Sequence, residues 1–414
     1  DKTSIPKLPR CELTGMEACM AVGHGTRVVL PDMLSTKAVK ASEADRMSSR
    51  STSAEGNTPT RDRLETMSPT DFNNIAQWSE EGFASQIENF VEYAGAEVGS
   101  WDPERFEMVG KLQDAERNQG QVFVMRDIES AMCVAVKRVP NAWICSSHAE
   151  FLKEHGHETE LPWMDIGCMG FLNTYGFPYA CHLIGVYRDE DATYIVSELA
   201  TGGDLFTWCS SPSQGPPGLE REAQMMPLIV QTIDCVSRLH QLSIAHGDLS
   251  LENILLSRSA CTDSLRLQVI DFGMSSTKRF RTGVVGKPSY QAPEMHEGTR
   301  YDTYLTDSFS LGVVLFTLLV KDYPWLSTRP GVCKAFSYFR AFGFRAFVAK
   351  RNIRGKTTKV IEHMSEPMVR LLEGLLAVDP EERLVLNDHG WMTGAQRSVW
   401  QEPLLQHGRG FLPA

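Results

Sequence analysis

An α+β fold, a small antiparallel sheet followed by a larger and mainly helical half, is what this sequence predicts. Three observations carry that prediction. Between Trp101 and Ser197, five short runs have strand-like composition, and one helical stretch interrupts them. After Gly202-Gly203 the pattern becomes mainly helical. Residues 246–253 read His-Gly-Asp-Leu-Ser-Leu-Glu-Asn, and Asp271-Phe272-Gly273 begins 18 positions after Asn253, behind the apolar run Leu265, Leu267, Val269 and Ile270.

The bulk composition sets limits. A chain of 414 residues can bury a two-lobed core and still carry an extension. The charge, 41 − 52 = −11, argues against general nucleic-acid binding, which favours a basic surface. The ten cysteines contain no C-x-x-C pair and mostly sit in apolar stretches, so they read as buried free thiols in a reducing compartment such as the cytoplasm. No stretch approaches the roughly 20 apolar residues of a membrane span, and no secretory signal is visible. The chain begins at Asp1 rather than Met, so it reads as a fragment whose upstream address is open. A monomer is expected.

Taken in order, residues 1–66 are rich in Ser, Thr and Arg, hold no hydrophobic period and read as a low-complexity, disordered segment. Residues 67–100 read as a helical extension. Ser68-Pro69-Thr70-Asp71 starts it, and Ile75, Trp78, Phe83, Ile87, Phe90 and Val91 follow at helical spacing. Residues 101–198 form the small lobe. Phe106–Val109, Gln121–Met125 and Met132–Lys137 are strands, a helix lies within about 150–173, and Leu183–Tyr187 and Thr193–Ser197 are two more strands around the turn Arg188–Asp191. Residues 199–395 form the helical lobe, with helices over 220–242, 306–321 and 365–377, and 396–414 are a tail. Residues 339–359 mix Phe339, Phe342, Phe344 and Phe347 with seven basic residues. They read as an amphipathic helix with a solvated charged face, with a docking site for acidic substrates as the next reading.

The two motifs put a carboxylate and an amide on one loop and a second carboxylate on the next turn. Phosphoryl transfer needs such a set: one carboxylate to accept the hydroxyl proton, and an amide and a second carboxylate to hold Mg²⁺. Both motifs resemble the catalytic and metal-binding loops of eukaryotic protein kinases, and the resemblance covers residues 101–395. It implies the bilobal protein-kinase-like fold, ATP and Mg²⁺, and a protein substrate. Asp248 is then the base or substrate-orienting group, and Asn253 and Asp271 are the metal ligands.

Lys137, ending Val134-Ala135-Val136-Lys137, matches the strand lysine that pairs the α/β-phosphates, and Ala135 and Val122 join the ATP-binding set. Asp165, six residues before Phe171-Leu172-Asn173, falls where the family places the helix glutamate that holds that lysine; Glu158 and Glu160 are rivals. Asp is one methylene shorter than Glu, so this pair needs the helix closer. The glycine loop departs most. The family's pattern would fall on Ala115, Arg117, Gly120 and Val122, of which only Gly120 and Val122 match. Arg117 and Lys111 are candidate substitute charges, more simply read as surface residues. Ser197-Glu198-Leu199-Ala200 resembles the hinge, with the backbone of Glu198 and Ala200 facing adenine and Ser197 opening a back pocket. Asp204 matches the ribose position and reads equally as a helix N-cap.

His246 resembles a residue that buttresses the catalytic loop. Gly247 replaces the arginine that answers activation-loop phosphorylation, and Ser250 replaces the lysine that in serine/threonine kinases touches the transferred phosphate. Residues 274–292 are the activation segment, with Ser275, Ser276, Thr277 and Thr282 as candidate phosphosites. Lys287 stands where serine/threonine kinases usually carry Thr, and is a candidate for that missing lysine arriving from another direction. Glu294 and Arg383 resemble the buried pair that ties the segment down, and Asp307 and Gly312 resemble the helix that anchors the catalytic loop.

Lys137-Arg138-Val139-Pro140 with Trp143, Phe171-Leu172-Asn173, Ser250 and Val285-Gly286-Lys287 resemble the divergent FIKK-type kinases of apicomplexan parasites. The name-giving Phe-Ile-Lys-Lys is absent, since this chain reads Ala135-Val136-Lys137-Arg138. Two functions follow: an active protein kinase, serine/threonine by default, or a pseudokinase acting as a nucleotide-binding scaffold. The degraded glycine loop, Gly247 and Ser250 support the second.

Overall fold

The computed structural model describes residues 80–115, 118–258, 265–387 and 396–406. The first described element is helix α1 (Glu80–Tyr93). Its residues Phe83, Ile87 and Val91, spaced for one helical face, are buried. Ser68–Asp71, Ile75 and Trp78 lie outside the described residues, as do Arg117, Cys11, Cys19 and Cys261.

The small lobe is a sheet of β1 (Gly99–Ser100), β2 (Phe106–Ala115), β3 (Gly120–Asp127), β4 (Met132–Pro140), β5 (Leu183–Arg188) and β6 (Ala192–Glu198), in the order β1-β5-β6-β4-β3-β2. The five longer strands pair antiparallel, as expected, while the two-residue β1 adds a parallel edge beside β5. On β4, Val134 and Val136 are buried while Ala135 and Lys137 are half-buried, the period-two alternation of a strand. One sheet face carries a small core of Phe106, Met125, Val134, Val136, Tyr194 and Val196, with Trp101 stacked on Phe106 and Tyr194.

Between β4 and β5 lie α2 (Asn141–Ile144), α3 (His148–His155) and α4 (Pro162–Thr174). The single helix expected over 150–173 is therefore two. Gly156 follows the end of α3, and Pro162 takes the first position of α4, where its missing N–H costs nothing. Helix α1 packs against α4 at Gly167, where an added Cβ would lie 2.8 Å from the Val91 Cα. The absent side chain lets the two backbones approach.

The helical lobe holds α5 (Leu205–Ser210), α6 (Leu219–Gln241), the hairpin β7 (Ile254–Arg258) and β8 (Leu265–Val269), the pair β9 (Phe280–Arg281) and β10 (Tyr301–Asp302), α7 (Thr303–Val320), α8 (Lys334–Lys350), α9 (Glu366–Leu375) and α10 (Pro403–Gln406). Every residue of α7 is buried, so an all-round apolar helix forms the axis of the core. It is also long and apolar enough to cross a membrane, contrary to the expectation that no stretch approaches that length; here protein covers all of it. Helix α8 turns Phe339, Phe344 and Phe347 inward and pairs Arg345 with Glu366 and Glu373, and Gly343 breaks it at φ 80°. The seven described cysteines are free thiols.

Candidate active site

Strand β4 and helix α4 build the first part of the site. Lys137 Nζ lies 3.4 Å from Asp165 Oδ2, and Asp165 Oδ1 accepts the Phe272 N–H at 2.8 Å. Asp165, not Glu158 or Glu160, is thus the paired helix carboxylate. Burial disfavours the Lys137 ammonium, but Asp165, Asp271 and Glu160 outweigh it and hold its pKa above the usual lysine value. The lysine is charged at neutral pH. Val122 pairs with Lys137, and Val124 with Ala135, so Val122, Ala135 and Lys137 share the sheet face turned to the cleft.

The catalytic loop hangs from α7. Asp307 accepts the main-chain N–H groups of His246 at 2.7 Å and Gly247 at 3.0 Å, and lies 3.0 Å from His240 Nε2. His246 Nδ1 accepts the Asp248 N–H, and its Nε2 faces the Ile270 carbonyl at 3.1 Å. This buried imidazole joins the two motifs. Asp248 is held on both oxygens: Oδ1 accepts the Lys287 N–H at 2.9 Å, and Oδ2 accepts Asn253 Nδ2 at 3.2 Å. Burial pushes its carboxyl up, against the pull of the Lys287 ammonium.

Asn253 also donates Nδ2 to the Asp248 carbonyl at 2.8 Å, and its Oδ1 accepts the Lys287 ammonium at 3.3 Å. Asp271 stands at φ 68°, ψ 68°, a left-handed conformation seldom adopted by residues other than glycine. Two hard oxygen donors without a protein cage suit Mg²⁺, which keeps water and phosphate oxygens as its other ligands. The residues fit that ion.

At the phosphate end, Gly120 opens β3, and a Cβ there would lie 2.5 Å from Asn118 Oδ1. Asn118 is buried. Its Oδ1 accepts the Gly120 N–H at 2.9 Å and its Nδ2 donates to Glu160 Oε1 at 2.8 Å. Sequence reasoning passed over Asn118; an Asn two residues before a turn glycine is the signal that could have found it. Lys111 is tied to Asp114 of its own strand and faces solvent, the simpler of its two expected readings.

At the hinge, the Glu198 N–H donates to the His182 carbonyl at 2.8 Å, and Glu198 Oε2 accepts Gln268 Nε2 at 3.0 Å. That N–H is therefore engaged and does not fit the expected adenine contact. The Ala200 carbonyl accepts the Gly203 N–H at 3.4 Å, and Ser197 is half-buried. Asp204 caps α5 by accepting the Thr207 N–H at 2.7 Å.

The activation segment is pinned by protein contacts. Arg279 pairs with Asp302 at 2.9 Å, the Tyr301 hydroxyl donates to the Gly283 carbonyl at 2.7 Å, and Ala245 and Ser276 exchange backbone hydrogen bonds at 2.9 Å. Ser275 is buried and donates to the His246 carbonyl, which takes it out of the candidate phosphosites. Arg383 is fully buried and bidentate to Glu294, at 2.5 and 3.0 Å.

Residues 117–392 match the protein kinase domain. Serine/threonine-protein kinase SRK2J of Arabidopsis thaliana is 33% identical over 203 residues, 48% of this chain and 55% of that protein. Serine/threonine-protein kinase 33 of Mus musculus is 28% identical over 289 residues, 66% of this chain and 52% of that protein. The chain spans about half the length of these curated relatives. With well over half of its residues matched by that one domain, the chain belongs to the protein kinase family.

Proposed function

We propose that this chain is an active ATP-dependent protein kinase that uses Mg²⁺ and transfers the γ-phosphoryl group to a protein hydroxyl, serine or threonine by default. One observation carries the reading. The Asp248 carboxylate is fixed by the Lys287 N–H and the Asn253 amide on a loop anchored by Asp307. In this reading Lys137, kept charged and aimed by Asp165, orients the ATP phosphates. Val122, Ala135 and the Glu198–Ala200 hinge hold the base, and Asp204 reaches the ribose. Asp248 orients the acceptor hydroxyl and takes its proton as the new P–O bond forms. Asn253 and Asp271 hold Mg²⁺, which when bound offsets charge on the phosphates. Glu294, Arg383 and Asp307 are structural. The missing glycines, Ser250 and Lys287 support a place on the FIKK-type side branch.

The test is ATP turnover with Mg²⁺ on a generic protein substrate, beside Asp248→Asn and Asp271→Asn. Turnover in the parent chain and its loss in both variants is the expected result. The Asn118–Glu160 contact favours the pseudokinase reading instead, because it ties down the loop that would cover the phosphates. Mg²⁺-dependent ATP binding without turnover on any substrate would select that scaffold.

A further inference from the structure

Lys287 reaches the catalytic loop twice, by two different groups. Its main-chain N–H binds Asp248 Oδ1 at 2.9 Å. Its ammonium lies 2.6 Å from Ser250 Oγ, 3.3 Å from Asn253 Oδ1 and 3.5 Å from Asp248 Oδ2, with Glu252 Oε2 at 4.0 Å. The neighbouring glycine makes this approach possible. Gly286 has φ 79°, and a Cβ there would lie 2.8 Å from the Gly247 carbonyl and 3.2 Å from Asp248 Oδ1. The segment touches the loop only because position 286 has no side chain.

We infer that Lys287 supplies the cation that contacts the transferred phosphoryl group, and that positions 250 and 287 have exchanged roles. The inference rests on the kinase reading above. The ammonium faces both the proton acceptor Asp248 and the metal-binding amide Asn253, the two residues beside which the phosphoryl group is transferred in the kinase reading. As the acceptor oxygen bonds to the γ-phosphorus, the bond from that phosphorus to the bridging oxygen breaks, its electron pair leaves with ADP, and the hydroxyl proton goes to Asp248. Charge spreads over the three equatorial oxygens during this step, and a fixed cation beside them lowers the barrier. Ser250 fixes the ammonium through the 2.6 Å contact, where a lysine at 250 and a hydroxyl at 287 would give the same pair reversed. Asp248 Oδ1 is held by the main chain of Lys287, so changing the side chain keeps that contact while removing the ammonium from Asp248 Oδ2 and Asn253 Oδ1. The side chain is 32% exposed, which leaves it reachable from the substrate side.

The experiment compares Lys287→Met, Lys287→Arg and the double exchange Ser250→Lys/Lys287→Thr with the parent chain, reading kcat, MgATP affinity by calorimetry and melting temperature. Lys287→Met is expected to lose about 10²-fold in kcat, the order seen for removal of one transition-state donor, with MgATP affinity and melting temperature unchanged. Lys287→Arg keeps part of the rate, and the double exchange recovers at least tenfold over Lys287→Met. An unchanged kcat in Lys287→Met overturns the inference while leaving the kinase reading intact. So does a loss matched by weaker MgATP binding or a lower melting temperature, which would make the residue structural. No recovery in the double exchange overturns the shared role. A parent chain without turnover overturns the kinase reading and this inference with it.

Discussion

The two oxygens of Asp165 serve different partners: Oδ2 faces Lys137 Nζ at 3.4 Å, and Oδ1 accepts the Phe272 N–H at 2.8 Å. One short carboxylate therefore couples Lys137 to the turn that carries Asp271. Asp165→Asn is expected to lower kcat/KM for ATP about 10²-fold, the order of a small misplacement of a positioned group. Asp165→Glu does not rescue it, because both oxygens already have fixed partners and an extra methylene overpacks the site by about 1–3 kcal/mol. Steady-state kinetics on both variants checks this; wild-type kcat/KM in Asp165→Asn would break the coupling.

Gly167 sets how close α4 stands to α1. A Cβ there would lie 2.8 Å from the Val91 Cα and 2.9 Å from its nitrogen, and backbone cannot swing aside as a side chain can. Gly167→Val is expected to cost about 1–3 kcal/mol in urea unfolding. It also raises the KM for ATP, because Asp165 lies two residues away on the same helix. Normal kinetics in a destabilised Gly167→Val would separate the helix contact from the site.

Gly247 has φ 76°, and any Cβ there would run into the Met274 carbonyl. The arginine that kinases commonly hold at this place does not fit this backbone. Gly247→Arg is expected to destabilise the chain by more than about 1 kcal/mol. It does not make turnover depend on phosphorylation of Ser276, Thr277 or Thr282. Phosphatase treatment of both proteins, followed by rate measurement, decides the point.

Arg383→Met leaves the Glu294 carboxylate buried without its bidentate partner. Breaking such a pair from one side typically costs about 3–5 kcal/mol. Chemical denaturation should show a loss of that size, with the activation segment more open to protease than in the parent chain.

Asp127 gives the small lobe an acid limit. The hydrogen-bonded Arg105 guanidinium, with Ser130 and the Glu129 N–H, holds its carboxyl at about 2, against 3.8 for an ordinary aspartate, despite burial. The folded-state pKa is depressed. The stabilisation is therefore complete above the unfolded value and fades as pH falls from about 4 toward 2, by roughly 2 kcal/mol in all. Unfolding in urea at pH 5 and pH 2.5 should differ by less in Arg105→Leu than in the parent chain.

The sequence is most informative where chemistry is packed into a few consecutive residues. Asp248 and Asn253 share one loop, and Asp271 follows a single hairpin, so local spacing alone puts them together. Asp165 is harder to single out, since its partner lies 28 residues back and Glu158 and Glu160 compete within the same stretch. Asn118 leaves one local signal, an Asn two residues before a turn glycine. Its meaning comes from meeting Glu160, 42 residues away, through a turn whose family pattern is lost. The helix over 150–173 splits at Gly156 and Pro162, both readable as breaks but masked by the apolar run that follows. The helix anchor Asp307 is legible as a motif, whereas its three partners are not, because they converge from α6 and the catalytic loop.

Because α7 runs through the core and holds the catalytic loop by Asp307, the parts of the site rest on two supports. Asp248, Ser250, Asn253 and Lys287 all belong to the helical lobe, and Lys137 rides on the sheet. Any movement of the sheet against the helical lobe would lengthen only distances that cross from one support to the other. The contacts among Asp248, Ser250, Asn253 and Lys287 would then persist whatever their distance from Lys137.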